Sequence, residues 1–335
     1  MKKIALALLS IFVLFVLAAC GATKSDNNAA GDQDSSAKKP LKITLPTWTG
    51  YGPLFLAQEK GFFEKHGIDV ELSIIEGLAE RKQALAGGQV DGMATALDVQ
   101  VTMAAADVPM EVVWLLDDSY GGDGIIVKND INSVEELKGK KVAFEQGSTS
   151  HLLLLTALEE AGLTDQDVEM VQMSAGDAGA AFVAGQVDAA VTWEPWLSKA
   201  SEANGKILVS TKDLPGIIVD TVGFRKNVVE ERPEDIQAFV NAMAEAMDYW
   251  KENEEESNQI MADGLNIDVE EFTATVQGLK FLDGQANKEL FGTSEQQGDI
   301  YSSAQNASDF YLEQGLIETA PSADEILNST FVEGQ

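Results

Sequence analysis

The chain has 335 residues, 45% of them hydrophobic, which is enough for two lobes of roughly 100–200 residues with real cores. Asp and Glu number 55 against 23 Lys and Arg, so the formal net charge is −32. A chain this acidic repels phosphate backbones and anionic headgroups, which argues against nucleic-acid binding.

The N-terminus is typical of an export signal. Lys2 and Lys3 precede an apolar run, 4–16, that is too short to span a bilayer comfortably. Leu17-Ala-Ala-Cys20 follows, and it resembles the lipobox of bacterial lipoproteins, whose cysteine is diacylated. The alternative is a plain secretory signal with an incidental cysteine. Cys20 is the only cysteine and has no disulfide partner in this chain, which favours the lipid.

These features divide the N-terminal part in two. Residues 1–19 are predicted to be a lipoprotein signal peptide. Residues 20–40, rich in Ser, Asn, Asp, Ala and Gly, are predicted to be the lipidated cysteine and a flexible tether. The mature domain would then be held off a membrane without a fixed orientation.

Residues 41–123 alternate short apolar strands with helical stretches. Strands are predicted at 41–45, 68–75, 90–96 and 110–116, and helices at 54–66, 78–86 and 99–106. This alternation predicts a largely parallel sheet covered on both faces, the first part of lobe 1. Ligands of open α/β sheets bind at strand C-terminal ends, and there the sequence places Trp48 and Tyr51, Asp98 as a cap of the third helix, and Asp118 and Asp123.

Residues 124–222 are predicted to form lobe 2. Strands are expected at 124–128, 141–144, 168–173 and 206–210, and helices at 134–137, 151–161, 177–184 and 197–203. The loop Ser148-Thr149-Ser150 precedes a helix, so its free backbone N–H groups suit an anionic or carbonyl oxygen; ordinary capping by Ser148 or Ser150 explains it equally well.

The last part of the chain is predicted to return to lobe 1. An apolar strand at 217–224, which contains Asp220, carries the chain back. Residues 223–335 then complete lobe 1, with helices at 235–252, 254–263, 269–276 and 295–314 that wrap it.

One unit occurs twice in the chain. The segments 85–95 and 182–192 both contain Gly-Gln-Val-Asp before a short apolar run. Asp91 and Asp188 of this repeat are predicted to be structural, at a helix-to-strand turn. The second copy runs into Trp193-Glu194-Pro195-Trp196, an aromatic and acidic strand end. The alternative roles are a helix-start carboxylate for Glu194 and packing for Trp196.

Several segments, in this order behind a lipobox, resemble one family. They are the stretch 43–63 from Ile-Thr-Leu-Pro-Thr-Trp to Gly-Phe-Phe, the paired Gly-Gln-Val-Asp runs, Val134-Glu-Glu-Leu-Lys-Gly-Lys-Lys-Val, and Thr192-Trp-Glu-Pro-Trp. Across residues 41–320 the sequence is similar to the solute-binding proteins of ABC importers, in the nitrate, sulfonate, taurine and pyrimidine-precursor branch.

The resemblance implies an α/β architecture with a type II periplasmic-binding-protein fold. Two doubly wound α/β lobes are joined by a two-strand hinge, here expected near 121–127 and 221–224, and ligand is held in the cleft between them. It further implies an extracytoplasmic monomer that hands a small solute to an ABC permease and its ATPase when the lobes close.

The predicted ligand contacts are aromatic, hydroxyl and carboxylate side chains, with no Arg, Lys or His among them: Trp48, Tyr51, Asp98, Asp118, Asp123, Ser148, Thr149, Ser150, Trp193, Glu194, Trp196 and Asp220. Carboxylates beside aromatic faces suit a cationic or heteroaromatic amine, which is our prediction. The alternative is a sulfonate or taurine-like anion. For Asp118 and Asp123, polar contacts of the hinge are the other possibility.

Neither a metal nor a cofactor is expected. His66 and His151 are lone and well separated, and no nucleophile pair or phosphate-binding glycine loop is present. A binding protein is therefore predicted rather than an enzyme. Two alternatives on the same fold are a pyrimidine-synthase-like enzyme and a solute sensor for a membrane partner.

Overall fold

The structure is a computed structural model that describes residues 39–203 and 205–333. The predicted signal peptide, Cys20 and nearly all of the predicted tether lie outside the described residues. The described part contains β1 (Leu41–Leu45), β2 (Val70–Ile74), β3 (Gly92–Ala96), β4 (Met110–Ser119), β5 (Asp123–Lys128), β6 (Lys141–Phe144), β7 (Glu169–Gln172), β8 (Ala189–Trp193), β9 (Gly205–Ser210), β10 (Val219–Arg225) and β11 (Leu279–Phe281).

Most of the helices follow the strands in alternation, as the sequence predicts, and the rest are C-terminal. Their bounds are α1 (Gly52–Glu59), α2 (Phe62–Lys65), α3 (Leu78–Ala86), α4 (Leu97–Ala105), α5 (Thr149–Glu160), α6 (Ala175–Val183), α7 (Trp196–Glu202), α8 (Lys226–Glu231), α9 (Pro233–Glu252), α10 (Glu254–Leu265), α11 (Val269–Thr275), α12 (Gly284–Phe291), α13 (Asp299–Glu313), α14 (Ala323–Ile326) and α15 (Thr330–Glu333).

The strands form two sheets with the same plan. The first sheet has the order β11-β4-β10-β3-β1-β2 and the second the order β7-β6-β8-β5-β9. In the first, β1 pairs in parallel with β2 and β3; in the second, β6 pairs in parallel with β7 and β8. Each sheet also receives an antiparallel strand from the other, because β4 leads into β5 and β9 leads into β10. The mixed α/β fold confirms the predicted fold class.

Two expectations about the first sheet are corrected. It is parallel only at the β2-β1-β3 end, since β10 arrives from the second sheet antiparallel to β3 and β4, and β11 is antiparallel to β4. The second crossing was expected at 221–224, but these residues lie inside β10. The chain crosses between the sheets at 120–122 and returns at 211–218.

The predicted helix 54–66 is two helices. Gly61 has a φ of +70°, a left-handed conformation that ends α1 and starts α2. The side chains of α9 at 236, 239, 240 and 243 recur at helical spacing and are fully buried against the first sheet. Phe239 of this face packs edge-on against Phe224 of β10, with ring centroids 5.2 Å apart. The C-terminal helices thus enlarge the core of the first sheet.

Asp91, from the first copy of the repeat, binds the start of β1. Its Oδ2 accepts a hydrogen bond of 3.0 Å from the backbone N–H of Lys42, and its Oδ1 lies 3.3 Å from the Arg225 guanidinium of β10. Only 5% of the Asp91 side chain is exposed. The carboxylate therefore joins three strands at the N-terminal edge of the parallel strands.

Asp188 repeats this arrangement in the second sheet. Its Oδ2 accepts a hydrogen bond of 3.1 Å from the backbone N–H of Lys141 in β6, and its Oδ1 lies 2.6 Å from Lys128 Nζ of β5. The structural role predicted for both aspartates is confirmed. The aspartate of each copy of the repeat therefore fixes the alignment of neighbouring strands.

Candidate ligand-binding cleft

A cleft lies between the two sheets, with an empty volume of about 330 Å³ that is partly open to solvent. It is bounded by the C-terminal ends of β1, β3, β6 and β8 and by the N-terminal ends of the antiparallel strands β5 and β10. This is where open α/β sheets bind ligands. The predicted residues that line it are Trp48, Tyr51, Asp123, Ser148, Thr149, Trp193 and Asp220, and the others are Pro46, Arg81, Thr95, Ala96, Val99 and Ile218.

The turn after β1 sets two aromatic side chains against carboxylates. Trp48 Nε1 donates to Asp117 Oδ2 over 3.3 Å, and the Tyr51 hydroxyl donates to Asp220 Oδ1 over 2.5 Å. A Cβ atom on Gly50 would lie 1.9 Å from Asp117 Oδ2, so only glycine allows this approach. Both rings are almost completely buried. They form the wall of the cleft on the side of the first sheet.

Trp193, at the end of β8, forms part of the opposite wall. Its Nε1 donates a hydrogen bond of 3.1 Å to the backbone carbonyl of Thr47, on the other side of the cleft. The two walls are therefore in direct contact in this structure. The sequence predicts this tryptophan at an aromatic and acidic strand end among the ligand contacts, and it lies at the end of β8 in the cleft wall.

The loop before α5 supplies hydroxyl and backbone groups. Ser148 Oγ accepts from the Ser150 backbone N–H at 3.2 Å and donates to the Glu145 carbonyl at 2.8 Å, so the predicted cap is confirmed. Ser148 and Thr149 line the cleft. Ser150 lies behind them, and its buried Oγ has no hydrogen-bond partner. The loop can offer donors to a ligand while it caps its helix.

Arg81 is the basic side chain that the sequence analysis missed. It lies in the first turn of α3, is 2% exposed and lines the cleft. Its Nη1 donates to the carbonyls of Ile75 (2.9 Å) and Glu76 (2.7 Å), while Nε has no partner. No ion pair involves Arg81 among the residues that the structure describes. The expectation that the cleft holds no arginine is therefore wrong.

The reason for this miss lies in the direction of helical side chains. The strand-end rule predicts cleft residues only in strands and the turns after them, whereas side chains in a helix tilt back toward its N-terminus and can reach the cleft from there. The first turn of α3 stands at the cleft edge, so a long side chain there reaches the wall. A signal was available, because α3 follows β2 almost directly and Arg81 lies only three residues after Leu78, where the helix begins.

Buried carboxyl groups from both sheets line the cleft or lie behind its wall. Burial raises the pKa of Asp123 to about 7, although Ser119 Oγ donates to it over 2.6 Å. Asp117 and Asp220 are partners across β4 and β10. Burial raises both pKa values well above the ordinary range, and repulsion adds to the shift, from Asp220 on Asp117 and from Asp123 on Asp220. Burial therefore favours the protonated form of each of these carboxyl groups.

Two predicted aspartates lie outside the cleft wall. Asp118 points away from Asp117, since alternate residues of a strand face opposite sides, and its Oδ2 lies 3.2 Å from Lys280 Nζ. Asp98 is buried in the first turn of α4, where it accepts a hydrogen bond of 2.6 Å from the Tyr311 hydroxyl. Burial raises the pKa of Asp98 to about 6. Their contact with ligand stays a prediction.

Glu194 and Trp196 also lie outside the wall. Both carboxylate oxygens of Glu194 accept from Ser198, one from its backbone N–H at 3.0 Å and one from its hydroxyl at 2.8 Å. Trp196 packs against α6, where a Cβ atom on Gly176 would be 3.3 Å from its ring. These contacts match the helix-start and packing alternatives of the sequence analysis, and a ligand role stays a prediction for both.

Two further properties concern the described residues only. Within 39–203 and 205–333, no group of three or more His, Cys, Asp or Glu side chains is arranged to hold a metal ion. In the same ranges no helix has the length and hydrophobicity needed to cross a membrane.

Known proteins resemble this chain over most of its length. The sequence profile of the NMT1-like family matches residues 34–265. A Bacillus subtilis (strain 168) protein named for binding aliphatic sulfonates is 29% identical over 99% of this chain and 96% of its own length. The taurine-binding periplasmic protein of Escherichia coli (strain K12) is 26% identical over 88% of this chain and 93% of its own.

Solved structures share the fold. The periplasmic aliphatic sulphonate binding protein SsuA of Escherichia coli superposes with a TM-score of 0.70 at 23% identity, covering 86% of this chain and 96% of its own. The nitrate-binding protein NrtA of Synechocystis PCC 6803 gives a TM-score of 0.71 at 20% identity, covering 88% and 87%. With the matching profile, these results confirm the predicted family: the chain belongs to the NMT1-like family and has the periplasmic-binding-protein fold.

Proposed function

We propose that this chain is the extracytoplasmic solute-binding component of an ABC importer and that its solute is a small sulfonate-type anion. The sequence relatives are named for binding aliphatic sulfonates or taurine, which supports this class. Each sheet with its helices would act as one lobe, with residues 41–119 and 219–333 in the first and 123–210 in the second, close to the bounds predicted from the sequence. Closure of the lobes over the solute would present it to the permease and ATPase.

The observation that carries the proposal is the buried Arg81 guanidinium in the cleft wall, which forms no ion pair among the described residues and whose burial the nearby Glu145 carboxylate offsets only in part. A buried charge is costly unless an opposite charge or hydrogen bonds offset it. The N–H groups of Arg81 reach only neutral carbonyls among the described residues, and Nε reaches none. An anion bound beside Arg81 would remove this cost, and a sulfonate has several acceptor oxygens for the guanidinium and the Ser148 loop.

The predicted cationic amine ligand is not supported. A cation in a cleft this small would face the guanidinium, and protons on the buried carboxyl groups weaken the attraction that was expected to hold it. An amino group is still compatible with the site when it is part of an aminosulfonate. Its sulfonate would contact Arg81 and its ammonium would contact Asp123 or Asp220.

Calorimetric titration of the protein with ethanesulfonate, taurine, nitrate and choline tests this proposal. We expect both sulfonates to bind, with taurine tighter if an aspartate contacts its ammonium, and choline to give no heat. Arg81→Gln should weaken sulfonate binding by 100-fold or more, since the loss of a buried charged partner costs about 3 kcal/mol. Arg232→Gln, outside the cleft, is the matched control. Choline binding with silent sulfonates would contradict the proposal.

Recovery of the ligand after incubation with the protein separates a binding protein from an enzyme. Sequence relatives are named as binding proteins, whereas the desulfurization enzyme DSZB shares the fold alone, with a TM-score of 0.64 at 17% identity. We expect ethanesulfonate or taurine to be recovered chemically unchanged after incubation. The neighbouring genes separate an importer from a sensor, because a permease and an ATPase are expected beside this gene.

We further propose that the mature protein is a monomer anchored by a lipid on Cys20. This part of the chain lies outside the described residues, and the support is the lipobox-like Leu17-Ala-Ala-Cys20. Metabolic labelling with radioactive palmitate should mark the wild type and not Cys20→Ser. Equal labelling of both proteins would exclude the anchor.

A further inference from the structure

Glu145 makes a contact that crosses the cleft. It follows β6 in the second sheet and is 7% exposed. Its Oε1 accepts a hydrogen bond of 2.8 Å from the backbone N–H of Leu78, the first residue of α3. Since α3 connects β2 and β3 of the first sheet, this bond joins the two sides of the cleft.

Helix α3 has no side-chain cap from its own segment. Gly77 occupies the N-cap position and provides no oxygen for the first N–H groups of the helix. These groups lack partners inside any helix, and a carboxylate placed there gains both a hydrogen bond and the favourable field of the helix dipole. Glu145 supplies this cap from the opposite side of the cleft.

The capped helix is also the one that carries Arg81. Arg81 lies three positions after Leu78, so the backbone that Glu145 holds is the first turn that aims the guanidinium at the cleft. The electrostatics agree with this proximity: after burial, the Glu145 carboxylate is the largest influence on the pKa of Arg81, and it raises that pKa. On its other side, Glu145 begins the loop that contains Ser148 and Thr149.

We propose that Glu145 is a positioning residue that caps α3 only when the lobes close, and that it thereby couples the placement of Arg81 to closure. The role of Arg81 in this statement rests on the proposed function. With the cleft open, the first turn of α3 would lose its cap, and the guanidinium would be less firmly held. The anion site would then be completed by closure and loosened by opening, which favours release at the permease.

Three variants test this inference: Glu145→Ala and Glu145→Ser, whose side chains are too short for the contact, and Glu145→Gln, which keeps an oxygen at the same distance. Asp283→Ala is the matched control, because Asp283 caps α12 within its own segment with a bond of 2.9 Å. Hydrogen exchange of the amides in 77–86 and small-angle scattering are measured with and without saturating ethanesulfonate. The dissociation rate of ethanesulfonate is measured by stopped flow.

With ethanesulfonate bound and the cleft closed, we expect the Ala and Ser variants to exchange the Leu78 amide about tenfold faster than wild type and to release ethanesulfonate about tenfold faster. Without ligand they should scatter as a more open molecule than wild type. The Gln variant should stay within about threefold of wild type. Asp283→Ala should change exchange only near α12.

Wild-type exchange at Leu78 in either short-chain variant that folds, or an equal rise in Asp283→Ala, would overturn the inference. If neither short-chain variant folds, hydrogen exchange of the wild type with and without ethanesulfonate is the test. Ethanesulfonate should slow exchange of the Leu78 amide, and an unchanged rate would overturn the inference. Failure of the wild type to bind sulfonate would contradict the proposed function instead. The scattering of the ligand-free Glu145 variants would still show whether Glu145 helps to hold the cleft closed.

Discussion

Buried charges are arranged differently at the two ends of the parallel strands. At the N-terminal end, Asp91 and Asp188 each bind a backbone N–H and a basic side chain from a neighbouring strand. At the C-terminal end, Arg81 forms no ion pair among the described residues, and Asp123 has a hydroxyl partner but no base. The first end is balanced for stability, whereas the second holds unbalanced charge that a ligand can use.

Removal of Asp91 should have the largest effect on stability. The Asp91→Ala variant removes a buried carboxylate and leaves the half-buried Arg225 guanidinium and the Lys42 N–H without this acceptor, so we expect a loss of about 3 kcal/mol in the free energy of unfolding. Asp188→Ala should cost about 1 kcal/mol, because this pair is more exposed to solvent. Urea denaturation measures both. Sulfonate affinity should not change, and equal losses in the two variants would contradict the comparison.

Replacement of Arg81 should change the free energy of unfolding in the opposite direction from replacement of a paired arginine. We expect Arg81→Met to raise the unfolding free energy of the ligand-free protein by about 1–2 kcal/mol, since an apolar side chain removes an uncompensated buried charge. The same variant should lose sulfonate binding. Arg225→Met is the matched control and should lower stability by about 2 kcal/mol. Denaturation and calorimetry of both variants test this, and a destabilised Arg81→Met would show that the arginine is structural.

The pH dependence of stability should also differ between the two ends. The pKa of Asp123 is about 7 in the folded protein and about 3.9 in an unfolded chain. Between these values the folded state binds more protons, so the free energy of unfolding falls as pH rises, by roughly 2 kcal/mol between pH 5 and 7. Asp98, with a pKa of about 6, contributes in the same direction.

Asp188 should behave in the opposite way, because the Lys128 ion pair lowers its pKa. Its stabilising contribution is present above its ordinary pKa and is lost as pH falls through the lowered value. Denaturation of wild type, Asp123→Asn and Asp188→Asn across pH 3–8 tests both signs. A wild-type stability that rises from pH 5 to pH 7, or an unchanged slope in Asp123→Asn, would contradict the raised pKa.

The smallest effects on ligand binding are expected for substitutions of Trp193 and Glu194, on the side of the cleft that belongs to the second sheet. Trp193→Phe keeps the ring in the wall but removes the N–H donated to Thr47, so sulfonate affinity should fall about fivefold through faster release. Glu194→Gln, whose contacts are to Ser198, should change affinity less than threefold. Thermal melting of the ligand-free variants is the control. A large loss of melting temperature in Trp193→Phe would instead indicate a packing role.

Several features followed from local pattern. The helix 78–86 and the strand 141–144 were predicted at their observed bounds, because apolar periodicity and flanking glycines mark them clearly. The structural role of Asp91 and Asp188 followed from the repeat itself. The cleft positions of Trp48, Tyr51 and Trp193 followed from the rule that ligands bind at strand ends.

Other features depended on neighbours distant in the chain. Asp117 was overlooked beside Asp118 because the strand was expected to end at residue 116, so the alternation of faces was not applied to this pair. Short elements such as β11 and α12 were not predicted, since too few residues carry a periodic pattern there. For Glu194, the sequence leaves open a ligand contact and a helix-start role, and only the structure shows Ser198 bound to both carboxylate oxygens.

The sequence by itself determined the family, the α/β class and the duplicated strand unit, because these are written in segments of adjacent residues. Only the tertiary structure decided the charge of the cleft. Arg81, Asp123, Asp220 and Glu145 come from separate elements of two sheets, and their environment exists only after the chain has crossed twice between the sheets. Burial then raises the pKa of carboxyl groups that a sequence counts as negative and leaves one guanidinium without an ion pair, which makes an apparently acidic site better suited to an anion.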